Sequence, residues 1–238
     1  MVDSPTLAVV LYTYNRREYA HRTLRSALER LHYHGRTIVH IADDGSPDGY
    51  REELERLAGG FAQVAAVSSS NAERGGYGRS YNLASQHVHG AADVVLCLED
   101  DWELARPLDL DPLVEALQDP RIGCIRLGYI GYTQALHGEF AFVGGNHYLV
   151  LDSLSPEPHV FAGHPRLETV AWQRRVGPWP EGATAGATEF EVAHRLMARR
   201  DVAWPIDLVP PRGDLFVHIG TERAQDDLRP VDGAMVMA

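Results

Sequence analysis

Lysine is missing from this sequence: all 22 basic residues are arginine, against 33 acidic ones, which gives a formal charge of −11 over 238 residues. That absence excludes a phosphate loop of the Gly-Lys-Ser/Thr kind, whose lysine reaches the terminal phosphates. The acidic balance disfavours nucleic acid as a partner, because such proteins gather positive charge on one face. A single nucleotide held through a metal ion stays open. Cysteine is scarce as well. Two residues cannot make a disulfide framework, and they point to a reducing compartment. Long apolar runs are also absent. Leu7–Tyr12 is short, Ala91–Leu98 is interrupted by Asp93, and no basic segment lies within Met1–Arg16. Neither a secretory signal nor a spanning helix is expected, and the expectation is a soluble, cytoplasmic protein.

The rest is ordinary for a globular chain, 45% apolar and 23% charged. At about 150 residues per domain, the length suits one large or one-and-a-half domains. Leu7–Tyr12 is a continuous apolar run rich in β-branched residues, as in a strand covered on both faces. Ala20, Leu24, Ala27, Leu28 and Leu31 recur at helical spacing, which predicts a helix over Glu18–Leu31. Strands follow at Thr37–Ala42, Val64–Ser68 and Val94–Leu98, with helices at Tyr50–Leu57 and Arg79–Val88 between them. This alternation predicts an α/β fold built from parallel βαβ units.

After Asp101 the texture changes. A helix is expected at Leu113–Leu117, a strand at Ile122–Leu127, and a hairpin joining Phe140–Val143 to His147–Leu151 through Gly144-Gly145-Asn146. Glu189–Arg199 reads as a helix with Phe190, Ala193, Leu196 and Met197 inward, and Leu215–Ile219 as a last strand. The tail from Thr221 is expected to be loosely ordered. There is no internal repeat and no clear linker.

Ligands of open parallel sheets bind beyond the carboxyl ends of the strands. Here those ends carry Thr13-Tyr14-Asn15-Arg16, Asp43-Asp44-Gly45-Ser46 and Glu99-Asp100-Asp101. Clustered carboxylates repel one another unless a cation or solvent relieves them. A solvated acidic turn explains either cluster alone, but two clusters on one rim strain that explanation. Gly75-Gly76-Tyr77-Gly78 fails as a dinucleotide fingerprint because Tyr81 stands where a small residue is needed, although its position opening a helix suits an anion. His32, His34, His87 and His89 read as surface residues, and Cys97 and Cys124 as buried thiols. Trp172, Trp179, Tyr129 and Tyr132 suit either sugar stacking or the core.

In order and spacing, Val9–Arg16, Asp43-Asp44-Gly45-Ser46, Asn71–Asn82 and Leu98-Glu99-Asp100-Asp101 resemble the successive signatures of GT-A-fold glycosyltransferases of family 2. The resemblance continues through Gly163–Leu167, Gly177–Gly182 and Thr188–Glu191, and so covers residues 7 to 219. It implies a GT-A (Rossmann-like) fold with a mostly parallel central sheet, helices on both faces and an elaborated C-terminal half. It also implies one domain over residues 1–220, in which 1–101 bind a nucleotide-sugar and 102–220 bind acceptor and carry catalysis, followed by a tail at 221–238. A homodimer is its allowed assembly.

The same resemblance implies Mn²⁺ or Mg²⁺, a nucleoside-diphosphate sugar donor and inverting transfer to an acceptor hydroxyl. It places Thr13, Tyr14, Asn15 and Arg16 at the donor. Asp44, with Asp43 close behind, contacts the base. Asp101 ligates the metal with Glu99 as a further candidate ligand, and Asp100 lies near the ribose or sugar. Arg74 and Arg79 fall where a cation meets the base or diphosphate, though an exposed helix arginine explains each equally well. For the catalytic base, Thr188 and Glu191 fit a capping box, which leaves Glu189 with no structural job and makes it the candidate. Alternation puts His218 on one face of the last strand with Phe216, and the resemblance lets a late histidine complete the metal shell. The rivals are a sugar nucleotidyltransferase, for which no Gly-rich, Lys-containing signature is present, and an inactive nucleotide- or glycan-binding module. The identities of donor and acceptor stay open.

Overall fold

A computed structural model describes residues 4–71, 73–128, 137–151, 163–197, 201–205 and 215–220. Tyr129, Tyr132, the expected end of the helix at 198–199 and the tail at 221–238 lie outside the described residues. The alternating first part forms β1 (Leu7–Thr13), α1 (Arg17–Arg30), β2 (Leu31–His32), β3 (Thr37–Asp43), α2 (Tyr50–Gly59), β4 (Val64–Asn71), α3 (Tyr77–Val88) and β5 (Val94–Glu99). There follow β6 (Trp102–Leu104), β7 (Leu108–Asp109), α4 (Asp111–Ala116), β8 (Cys124–Arg126), β9 (Gly138–Val143) and β10 (Asn146–Leu151). The last elements are β11 (Arg166–Thr169), α5 (Val170–Val176), α6 (Ala185–Met197), β12 (Val202–Pro205) and β13 (Phe216–His218).

Nine strands form one sheet in the order β4-β3-β1-β5-β11-β8-β12-β10-β9. Only β11 and β10 run against the others, so the expected mostly parallel sheet is found. β1 is buried at every position and sits between β3 and β5. Its residues alternate between two cores. Leu7, Val9 and Leu11 pack with Leu24 of α1 and Leu54 of α2. Ala8, Val10 and Tyr12 pack with Tyr81 of α3, Trp172 of α5 and Val192 of α6. Helices therefore cover both faces, and each fully buried Leu or Val stabilises by roughly 1.5–3 kcal/mol. Trp172 and Trp179 are core residues, 0% and 2% exposed. Cys97 and Cys124 are buried free thiols, as expected.

Four local expectations fail. The helix expected from Glu189 starts at Ala185, where Thr184 Oγ1 accepts the Ala187 N–H at 3.3 Å and supplies the cap. Thr188 is buried inside the first turns, and exposed Glu191 pairs with Arg195 one turn on at 2.5 Å, so the Thr188/Glu191 capping box does not form. Phe190 is 55% exposed rather than inward, while Thr188, Val192, Ala193 and Leu196 form the buried stripe. The hairpin forms with a two-residue loop, Gly144-Gly145, at φ 55° and 76°. Such a loop needs left-handed backbone at both positions, so Asn146 joins the strand.

His40, fully buried in β3, bonds Ser68 Oγ at 2.9 Å and Ser70 Oγ at 3.1 Å. Burial, with the charge of stacked His87 second, pushes its pKa down to about 4. The unfolded chain then binds the extra proton between about pH 6.5 and 4, so stability should fall as pH drops through that window, by up to about 3 kcal/mol. His164, buried beside Arg126 and pushed to about 2, adds to the same slope. Urea unfolding at pH 7 and 4.5 should therefore give a smaller pH difference for His40→Gln than for the parent. Equal differences would remove His40 as a source.

Candidate active site

The C-terminal ends of β3, β1 and β5 stand side by side on one rim, and a cleft of about 640 Å³ opens above them. A larger cavity, about 880 Å³, lies at the opposite end of β5 and contains none of the expected site residues. Thr13, Tyr14, Asn15, Arg16, Asp44, Arg74, Glu99, Asp100 and Asp101 all line the rim cleft. Asp43, Arg79, Glu189 and His218 do not. Asp43 is absorbed by its own turn, where its carboxylate accepts from Ser46 N–H at 3.2 Å and Ser46 Oγ at 2.5 Å. The stem of Arg79 packs on Gly75. Asp44 points the other way and accepts the N–H groups of Gly75 at 2.8 Å and Gly76 at 3.0 Å, fixing the glycine turn that opens α3. Arg74 lies 4.3 Å above the ring of Tyr14, within cation–π range.

Asp100 is tied to the end of β1. Its Oδ2 accepts from Thr13 Oγ1 at 2.8 Å and Tyr14 N–H at 3.2 Å. Burial, only partly offset by Arg16, pushes Asp100 up to about 6. Asp101 takes the opposite shift. Burial alone would raise it, but the hydrogen bond and charge of His218, together with Arg16, hold it below the usual carboxylate range. His218 Nε2 stands 3.3 Å from Asp101 Oδ2.

The small sheet of β13 and β6 brings these two groups together. His218 is paired in register with Trp102, the residue after Asp101, and Ile219 N–H donates to the Asp101 carbonyl at 2.8 Å. Gly220 packs so closely on the Asp101 side chain that a Cβ there would collide with it.

Glu99 turns away from that pair and toward Glu189. The two carboxyl groups converge on Gly163, whose N–H donates to Glu189 Oε1. A Cβ at Gly163 would collide with Oε1 of both, so the approach needs glycine. Burial, then Glu189 and Asp101, push Glu99 up to about 8. Behind them lies a network that sequence reasoning missed. Arg166 and Glu168 on β11 are both fully buried and paired at 2.5 Å. Arg166 reaches toward the Tyr77 hydroxyl on the cleft wall at 3.5 Å. Its only signal in the sequence was its place within Gly163–Leu167. Among the described residues, no cluster of three or more His, Cys, Asp or Glu side chains has metal-holding geometry. No helix there is long and apolar enough to cross a membrane.

Residues 8–164 match the model of glycosyl transferase family 2. Among curated proteins no match is found. Of solved structures, a mannosyltransferase from Pyrobaculum calidifontis in complex with GDP-Man and Mn²⁺ is 19% identical, with a TM-score of 0.60 over 94% of this chain and 61% of that one. TarS from S. aureus in complex with UDP-GlcNAc is 16% identical, with a TM-score of 0.61 over 84% of this chain and 55% of that one. GalNAc-T7 with UDP, GalNAc and Mn²⁺ is 17% identical, with a TM-score of 0.62 over 86% and 43%. This chain thus spans about three fifths or less of the length of each. These likenesses carry the GT-A fold, and the family match over most of its length places the chain in glycosyl transferase family 2.

Proposed function

We propose that this chain moves a sugar from a nucleoside-diphosphate sugar to an acceptor hydroxyl with inversion, residues 1–101 holding the donor and 102–220 the acceptor. The observation that carries the reading is the meeting of three chain segments at one rim: Asp100 and Asp101 line the cleft, His218 stands against Asp101, and Glu189 converges with the cleft residue Glu99 on Gly163. The solved relatives with GDP-Man, UDP-GlcNAc and Mn²⁺ support it.

The donor set fits a divalent cation. Neighbouring ligands about 2.1 Å from an octahedral centre lie roughly 3 Å apart, and Asp101 Oδ2 and His218 Nε2 are 3.3 Å apart. One carboxylate and one imidazole suit Mn²⁺, with Mg²⁺ as the oxygen-preferring alternative. Bound there, the ion would act as a Lewis acid on the diphosphate leaving group. Asp44, Tyr14 and Arg74 form the wall that receives the nucleotide, and Asp100 stays fixed by Thr13 for the ribose or sugar. Glu189 accepts the acceptor's hydroxyl proton while its Oε1 is oriented by Gly163 N–H. The freed oxygen bonds to the anomeric carbon as the carbon–diphosphate bond breaks, and the nucleoside diphosphate leaves with that electron pair.

Nucleoside diphosphate should raise the melting temperature only when Mn²⁺ or Mg²⁺ is present. At a hundredfold excess over Kd the gain is about 2.7 kcal/mol, or several degrees for a chain of this size. Asp101→Ala should abolish that metal dependence. The site is misplaced if Asp101→Ala responds to metal and nucleotide as the parent does. Metal and nucleotide binding without transfer or hydrolysis of any donor would favour the inactive binding module.

A further inference from the structure

Arg16 occupies the flank of the Asp100–Asp101 pair. Its Nη1 lies 2.6 Å from Asp101 Oδ2 and 3.4 Å from Asp100 Oδ1. The two carboxylates are 7% and 9% exposed and the arginine side chain 23%. Local backbone geometry brings it there. Asn15 takes a left-handed conformation at φ 48° and anchors its N–H on Ser46 Oγ at 2.8 Å, so the chain turns sharply between β1 and α1 and sends residue 16 across the rim.

Two adjacent, nearly buried carboxylates need a counter-charge, and a guanidinium supplies one through charge-assisted hydrogen bonds. The oxygen it grips, Asp101 Oδ2, is the same one that faces His218. A divalent cation held by Asp101 and His218 would need that oxygen, and it would repel a guanidinium beside it.

We propose that Arg16 is an internal counter-ion that competes with the divalent cation for Asp101, and that it moves to the donor's diphosphate when cation and donor bind together. The inference rests on the reading of the cleft as a metal-dependent donor site. Its consequence is thermodynamic coupling. A cation alone must displace the guanidinium with nothing to receive it, whereas a cation arriving with a diphosphate gives Arg16 a new anion. Each ligand then strengthens the other by the same factor.

The test is a Mn²⁺ titration followed by the electron paramagnetic resonance signal of the free ion, with and without UDP or GDP. The parent should bind Mn²⁺ weakly alone and more tightly with nucleotide. Arg16→Met, which keeps the apolar stem, should bind Mn²⁺ alone about tenfold more tightly, the equivalent of losing one charged hydrogen bond. Its gain on adding nucleotide should shrink. Arg16→Gln should behave like Arg16→Met, and Arg16→Lys should stay near the parent because the charge is kept. Circular dichroism melts identify whichever variants fold.

Mn²⁺ affinity in Arg16→Met or Arg16→Gln no higher than in the parent would overturn the inference. So would tightening in Arg16→Lys equal to that in Arg16→Met. Transfer activity in the parent with no tightening in the variants sinks this inference alone. Tightening in the variants with no transfer by the parent sinks the proposed reaction and leaves the competition standing.

Discussion

Replacing Glu189 by Gln should cut sugar transfer by about 10²–10⁴-fold, the usual contribution of a positioned general base. The substitution keeps the shape of the side chain and an oxygen for the Gly163 N–H, and replaces the basic carboxylate with a neutral amide. Binding of Mn²⁺ and nucleoside diphosphate should therefore change little, because the proposed donor contacts line the cleft at the ends of β1, β3 and β5 and at the glycine turn, and Glu189 does not. Glu191→Gln is the matched control. Glu191 is exposed and its partner Arg195 lies on the same helix, so the loss should be at most about 0.5 kcal/mol of stability with activity retained. Single-turnover transfer and calorimetric nucleotide affinity, measured on both variants, separate chemistry from binding. Normal transfer by Glu189→Gln would move the base elsewhere, and inactivity of Glu191→Gln would exchange the two roles.

The approach of Glu189 to Glu99 was only half legible in the sequence. Leftover acids after a capping argument singled out Glu189, yet the capping argument misplaced the helix. The pattern Thr188-x-x-Glu191 competes with Thr184, and the real cap lies four residues earlier, where Thr184 Oγ1 accepts the Ala187 N–H. By contrast, β1, β3 and β5 were legible almost to the residue, since strands covered on both faces show as short, predominantly apolar and β-branched runs.

The second half of the sheet resisted such reading. β11 has no apolar run at all: Arg166 and Glu168 alternate with Leu167 and are as buried as any leucine. Periodicity treats charged residues as solvent-facing, so a strand whose charges satisfy each other inside the fold is invisible to it. The pairing of β13 with β6 was hidden for a different reason. It joins segments more than a hundred residues apart, and no local pattern encodes which strand His218 will lie beside. Likewise, an Asp-Asp pair does not reveal which member faces the cleft. Ser46 decides it by capturing Asp43.

Breaking the Arg166–Glu168 pair should be the most destabilising single change that leaves the cleft's own acids intact. Both side chains are fully buried. Glu168 Oε2 also accepts from Gln173 Nε2 at 2.7 Å and Tyr81 OH at 3.2 Å, while the guanidinium lies 5.3 Å from the ring of Trp179. Glu168→Leu would leave a buried guanidinium without the carboxylate it pairs with most closely, and Arg166→Met would leave a buried carboxylate without its guanidinium. Removing one partner of such a pair costs about 3–5 kcal/mol, because the charge left behind keeps its desolvation penalty. For a chain of this length that is a drop of roughly 10 °C in melting temperature. The double variant Arg166→Met/Glu168→Leu should recover most of the loss, since it buries no unpaired charge. Function should follow the same order. Arg166 supports the Tyr77 wall of the cleft and lowers the cost of charge on Glu99, so the double variant should regain stability before it regains full transfer. Urea denaturation of the two single variants and the double variant checks this directly. Single losses under about 1 kcal/mol, or a double variant as unstable as the sum of the singles, would show that the pair is not the internal brace of the site.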